Sequence, residues 1–139
     1  LPAAIWVLAM LRYRALAIPG LVLGMLSVDS VATLSAGTLV VNALTGTFSA
    51  FAALWVWETL RGQRLVYADL RLQPAFELIL LTSALHGLGC ALTAAVSTAP
   101  WGFFGVALTV ALSDILGASL VALPVIWAKR QFATGQAPV

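Results

Sequence analysis

Two ionisable residues stand deep inside long apolar runs, and their chemistry is the first to weigh. His86 lies about 12 residues into the run Pro74–Ser97, and Asp114 about 13 into Trp101–Trp127. At about 1.5 Å per helical residue, both reach a similar depth. An imidazole and a carboxylate at one depth can share a hydrogen bond, exchange a proton or hold a small ligand. Asn42 falls in the middle third of a third run, Val31–Trp57, and Cys90 follows His86 by one turn on the same helical face. The expected polar core is therefore His86, Asp114 and Asn42, with Cys90 beside it. Two readings of it stand side by side. It fixes helix register, or it is a ligand, proton or ion site, as intramembrane ionisable groups commonly are.

Other chemistries find less support. His86 and Cys90 are two side chains from one helix, too few for a closed metal site. A lone axial histidine can carry a haem, but nothing else points to one, so any cofactor is unknown. No nucleophile elbow, phosphate loop or HExxH pattern occurs, and the glycines of LHGLGCAL follow no strand. No catalytic residue is expected, and no enzyme.

The elements that must position these groups follow from composition. Of 139 residues, 62% are hydrophobic and 9% charged, with mean hydropathy +1.04. Soluble domains carry about 25% charged residues. Seven basic and five acidic residues could not cover a water-exposed globule, whereas a lipid-facing surface needs none. The fold class expected is an all-α integral membrane protein, a bundle of four to five transmembrane helices over residues 1–130. Residues 131–139 form a polar tail. The runs are Leu1–Leu11, a partial span; Ala15–Val28, marginal at roughly 14 residues and broken by Pro19-Gly20; and Val31–Trp57, Pro74–Ser97 and Trp101–Trp127, each long enough to cross.

Threading the chain through these runs gathers Arg12, Arg14, Arg61, Arg64, Arg71, Lys129 and Arg130 on one side. The positive-inside rule makes that side the cytoplasm, with the C-terminus there, in a bacterial inner membrane. Scattered in short clusters, the same residues make no nucleic-acid stripe. Trp55, Trp57 and Trp127 at the basic end, and Trp101 at the other, suit an interfacial belt. A lone cysteine excludes an intrachain disulfide, and Leu1–Leu11 lacks the basic leader of a signal peptide. The connection Glu58–Gln73 reads equally as an amphipathic surface helix or a plain loop, with Glu58 and Arg61 three apart and able to pair. Asp29 falls at the opposite surface.

Helices in lipid meet where small residues let backbones approach. Gly20 and Gly24 make one such pair; Asn42, Gly46 and Ala50 a row; Ser83, Gly87, Ala91 and Ala95 another; Gly105, Thr109, Ser113 and Gly117 a third.

Two segments carry a resemblance. LPAAIWVLAMLRYRALAIPGLVLGMLSVD joins an apolar helix through a basic turn to a Pro-Gly-bearing second helix. SDILGASLVALPVIWAKR sets Asp114, Leu116, Gly117 and Pro124 before a basic stop. Together with the small-residue helix around Asn42, the pair resembles the MASE-type membrane-associated sensor domains found upstream of bacterial histidine kinases and diguanylate cyclases. That family's domain has more helices than the five runs here, and no kinase or cyclase module follows Arg130. The resemblance implies a non-catalytic membrane sensing or signal-input role. The alternatives are an accessory or assembly subunit of a respiratory, photosynthetic or transport complex, and a substrate-binding transporter component. Expected partners are the lipid bilayer and either a second copy or other membrane subunits, with no nucleic acid.

Overall fold

The computed structural model describes residues 2–29, 36–67, 70–95 and 102–134. These form helices α1 (Pro2–Tyr13), α2 (Ala17–Asp29), α3 (Ala36–Arg61), α4 (Leu72–Ala95) and α5 (Gly102–Thr134), with a 3-10 turn, Arg14–Leu16, joining α1 to α2. No strand occurs among the described residues. Four helical stretches are long and apolar enough to cross a bilayer: Ile5–Ser27, Val40–Arg61, Leu72–Thr93 and Gly102–Lys129. The chain is an all-α helical bundle of the membrane-spanning kind.

Helix boundaries follow local chemistry. Pro19 and Pro74 each sit third in their helices, where a backbone N–H has no intrahelical partner to lose. Gly62 ends α3 at φ 62, the left-handed cap glycine adopts without penalty. Hydroxyls inside the helices bond back to the preceding turn, as Ser49 does to the Thr45 carbonyl at 2.6 Å and Thr45 to that of Val41. Such self-satisfaction makes a hydroxyl tolerable in hydrocarbon.

The first of the four stretches is not one straight span. Arg14 is left-handed, with φ 55, a strained conformation for a side chain other than glycine. Its guanidinium holds Glu58 at 2.7 Å and also donates to the Leu65 carbonyl, pinning the turn beside the C-terminal end of α3. Only seven peptide steps, at most about 25 Å, lead from Asp29 to Ala36 at the far end of α3. A helix continuing straight past Arg14 would leave that gap about twice too wide. So α2 folds back along α3, and α1 and α2 form a hairpin.

The run Leu1–Leu11, expected as a partial span, is thus drawn into the bundle. Trp6, Val7, Met10 and Leu11 of α1 are all buried, wedged among α3, α4 and α5. The Trp6 ring lies where a side chain on Gly46 of α3 would have to go. α4 closes on α5 because Gly87 brings its backbone against the Ala107 carbonyl, 2.5 Å from where a Cβ would stand. Gly89, which belongs to none of the four-spaced rows, meets Thr45 Cγ2 of α3 in the same way at 2.8 Å.

Other packing expectations are revised. Gly20, Gly24 and Gly105 face open space, and Gly117 is half-buried. Glu58 pairs with Arg14 instead of Arg61, and Arg61 holds Glu77 of α4 at 2.7 Å. Trp55 and Trp127 are exposed, as a belt requires, but Trp57 is buried and donates its indole N–H to Glu77 at 2.7 Å. Trp101 lies outside the described residues. Among the described residues of the connection after Gly62, 63–66 and 70–71 are in no helix. α5 continues to Thr134, four residues into the stretch expected as tail.

This packing predicts which glycines matter. Gly87→Ala should destabilise the purified protein in detergent by about 1–3 kcal/mol, since the obstacle is backbone. Gly46→Ala should also destabilise it, and Trp6→Leu should relieve part of that loss. Gly20→Ala and Gly105→Ala should be neutral or slightly stabilising. Equal thermal shifts for all four would contradict the arrangement.

Candidate functional site

Where α4 and α5 cross, His86 Nδ1 and Asp114 Oδ2 share a hydrogen bond of 2.6 Å. Each residue lies within about one turn of the centre of its spanning stretch, and both are buried, at 8% and 9% exposure. The Gly87 approach makes this reach feasible, because it brings the two backbones together one residue from His86. Trp6 covers the imidazole from the α1 side, its ring edge-on to His86 with centroids 5.0 Å apart. One aromatic wedge thus touches both Gly46 and His86, tying α1, α3 and α4 to the pair.

With Asp114 ionised, Nδ1–H donates to the carboxylate and the other ring nitrogen decides the charge. His86 Nε2 is buried and has no hydrogen-bond partner. Protonated, it makes the pair an imidazolium–carboxylate; bare, it leaves one negative charge shared across the bond. The hydroxyls of Thr47, Thr82, Ser83 and Ser119 are likewise buried and unpartnered. Thr82 and Ser83 precede His86 by one turn of α4. Buried polar atoms without partners are uncommon, and a concentration of them calls for a functional reason. They lie on three helices, α3, α4 and α5, with His86 Nε2 among them.

Of the expected polar core, the structure joins His86 to Asp114. Cys90, a half-buried free thiol, follows one turn along α4. Asn42 is half-buried on α3, and no hydrogen bond links it to the pair. Level with Gly89 on α4 is Thr45, so Asn42 sits nearly a further turn toward the far end. Trp6 and the hydroxyls of Thr47, Thr82 and Ser119 are not among the residues expected from sequence. Trp6 carries no polar signal in an apolar run, and a threonine in a helix normally satisfies itself. No group of three or more His, Cys, Asp or Glu that could hold a metal occurs among the described residues.

A second polar assembly closes the basic end. Glu58 accepts from Arg14 and from the Leu65 backbone N–H at 2.8 Å. Glu77 accepts from Trp57, Arg61 and Gln73. Lys129 of α5 donates to the Tyr67 carbonyl at 2.6 Å and lies over the Tyr67 ring. The α1–α2 turn, α3, α4 and α5 each therefore have a charged or polar tie near the same end.

A double-mutant cycle checks the central pair. His86→Leu and Asp114→Leu should each destabilise the bundle by stranding the other partner, and the double variant should recover part of the loss. The expected coupling is about 1–2 kcal/mol by reversible unfolding in detergent; strictly additive losses would mean the pair does not hold α4 to α5. No protein-family model, curated protein or solved structure matches the chain, so the geometry of the site carries the functional argument.

Proposed function

We propose that this chain is a non-catalytic signal-input domain of a bacterial inner membrane, with the His86–Asp114 pair as its input site. The observation that carries the reading is an ionisable pair of 2.6 Å buried between two spanning helices, with His86 Nε2 left unpartnered. A group that can gain or lose a charge inside a bilayer changes the energy of its surroundings by several kcal/mol, far more than it would in water. Taking up a proton or a small hydrogen-bonding ligand at Nε2 changes that energy directly. Such a difference is what shifts one helix packing toward another.

An output route also supports the reading. From Asp114 the helix α5 runs on to Thr134, past Pro124 and past the Lys129 contact with Tyr67. A shift at the pair is therefore delivered to the basic end. The resemblance of the Asp114, Leu116, Gly117 and Pro124 segment to MASE-type sensor domains agrees with this direction of travel. The basic residues at that end support a cytoplasmic location by the positive-inside rule.

A second reading, an accessory subunit of a larger membrane complex, draws on a different face. On α5 the small residues Gly105, Thr109 and Ser113 are exposed beside a row of exposed Phe104, Leu108, Leu112 and Leu116. Recovery of the chain from native membranes in fixed stoichiometry with other proteins would favour this reading over the first.

The signal-input reading is tested by distance measurement in vesicles. Spin labels go at two exposed sites near the basic end, Leu60 and Trp127, with Cys90, the single native cysteine, replaced by serine. Asp114→Asn should move the distance by about 1–2 Å or more, the size of known helix shifts. An unchanged distance in both Asp114→Asn and His86→Ala would remove the reading. Impermeant thiol reagents should reach a cysteine at Arg64 from the cytoplasmic face alone; labelling from outside would reverse the orientation.

A further inference from the structure

The basic end has a feature the input site does not use. Between the end of α3 and the start of α4 lies a hollow of about 670 Å³, walled by Arg61, Arg64, Arg71, Gln63, Gln73 and Glu77. Its one acid, Glu77, is already held by Trp57, Arg61 and Gln73. Arg64 and Arg71 are exposed and make no ion pair among the described residues. Two guanidiniums that make no ion pair among the described residues, at the wall of one cavity, suit an anion with several acceptor oxygens, because the planar fork can donate two parallel bonds.

Beside the hollow, whose wall also includes Trp57, Leu65, Val66 and Pro74, is a second cavity without charged residues. A groove of about 690 Å³ runs between α4 and α5, lined by Leu72, Phe76, Leu120, Leu123 and Trp127, and its surface is almost wholly apolar. Gln73 lines both cavities. The two therefore adjoin across the first turn of α4, one facing the aqueous end and the other the lipid. Pro124 on the groove wall cannot donate to the Leu120 carbonyl, which loosens α5 locally. A charged hollow at headgroup level, adjoining an apolar groove at acyl-chain level across Gln73, matches the two ends of one amphiphile.

We propose that this double cavity binds an anionic phospholipid, its phosphate between Arg64 and Arg71 and one acyl chain along the Leu72–Phe76 and Leu120–Trp127 groove. Basic pockets between spanning helices on the cytoplasmic side have the chemistry for such headgroups. The lipid would bridge α4 and α5 at the end toward which α5 runs from the central pair.

The test uses the whole chain in neutral detergent and native mass spectrometry. The probes are phosphatidylglycerol, phosphatidylcholine with the same acyl chains, and inorganic phosphate. Phosphatidylglycerol should bind about tenfold or more tightly than phosphatidylcholine. R64Q/R71Q should abolish that preference without changing the melting temperature, since neither arginine supports the fold. L120W, which fills the groove, should weaken both lipids. Equal binding of the two lipids, or a preference that survives R64Q/R71Q, would overturn the proposal. Lipid binding indifferent to L120W would also overturn it, as would inorganic phosphate binding as tightly as phosphatidylglycerol, which would make the hollow a site for soluble phosphate.

Discussion

Hydrocarbon offers no hydrogen bonds, so any polar group inside it must be satisfied by the protein or carry an energetic penalty. The His86–Asp114 bond is where that constraint bears hardest on this chain. Two ionisable side chains on different helices reach each other only if their backbones come close. Gly87 supplies the closeness against the Ala107 carbonyl. They stay shielded only if something fills the third side, and Trp6 does so from α1. Gly46 then has to be glycine because the same ring occupies its side-chain space. One polar bond thus accounts for two glycines, a tryptophan and the burial of a helix too short to span alone.

The basic end solves a different problem by different means. There the helices emerge toward water, where single ion pairs contribute little. What the pairs do is set geometry. Arg14 holds a left-handed turn against Glu58 and the Leu65 carbonyl, and the hairpin direction of α2 follows from that anchorage. Glu77 gathers donors from α3 and from its own helix, while Lys129 fixes α5 to the connection. The far end has no comparable set among the described residues. Arg64 and Arg71, at the basic end, make no ion pair among the described residues.

Much of this was legible in the residues. Apolar run length marked every helix, since spanning a bilayer is a demand on length and composition alone. The match in depth between His86 and Asp114 could be counted, because a helix converts sequence number into height. The direction each residue faces could not. A four-residue repeat defines a stripe on a helix without saying whether the stripe meets a neighbour. Gly20, Gly24 and Gly105 therefore looked equivalent to Gly46 and Gly87, and Gly89 escaped notice. Asn42 fits the cluster by type and depth, yet lies nearer the far end of α3. The Glu58–Arg14 pair spans 44 residues, and no local spacing rule reaches that far, so spacing alone points to the nearer Arg61. Trp57 resembled its neighbour Trp55 in sequence, and only the position of Glu77 separates a buried donor from a belt residue.

Because the chain has a single histidine, its imidazole can be observed without ambiguity. The most direct measurement is the ¹⁵N–¹H NMR spectrum of uniformly labelled protein in bilayers. The account predicts one Nδ1–H resonance far downfield, protected from exchange with solvent and shifted in Asp114→Asn. An imidazole whose protons exchange rapidly, with a spectrum unaffected by Asp114→Asn, would contradict a buried bond between α4 and α5.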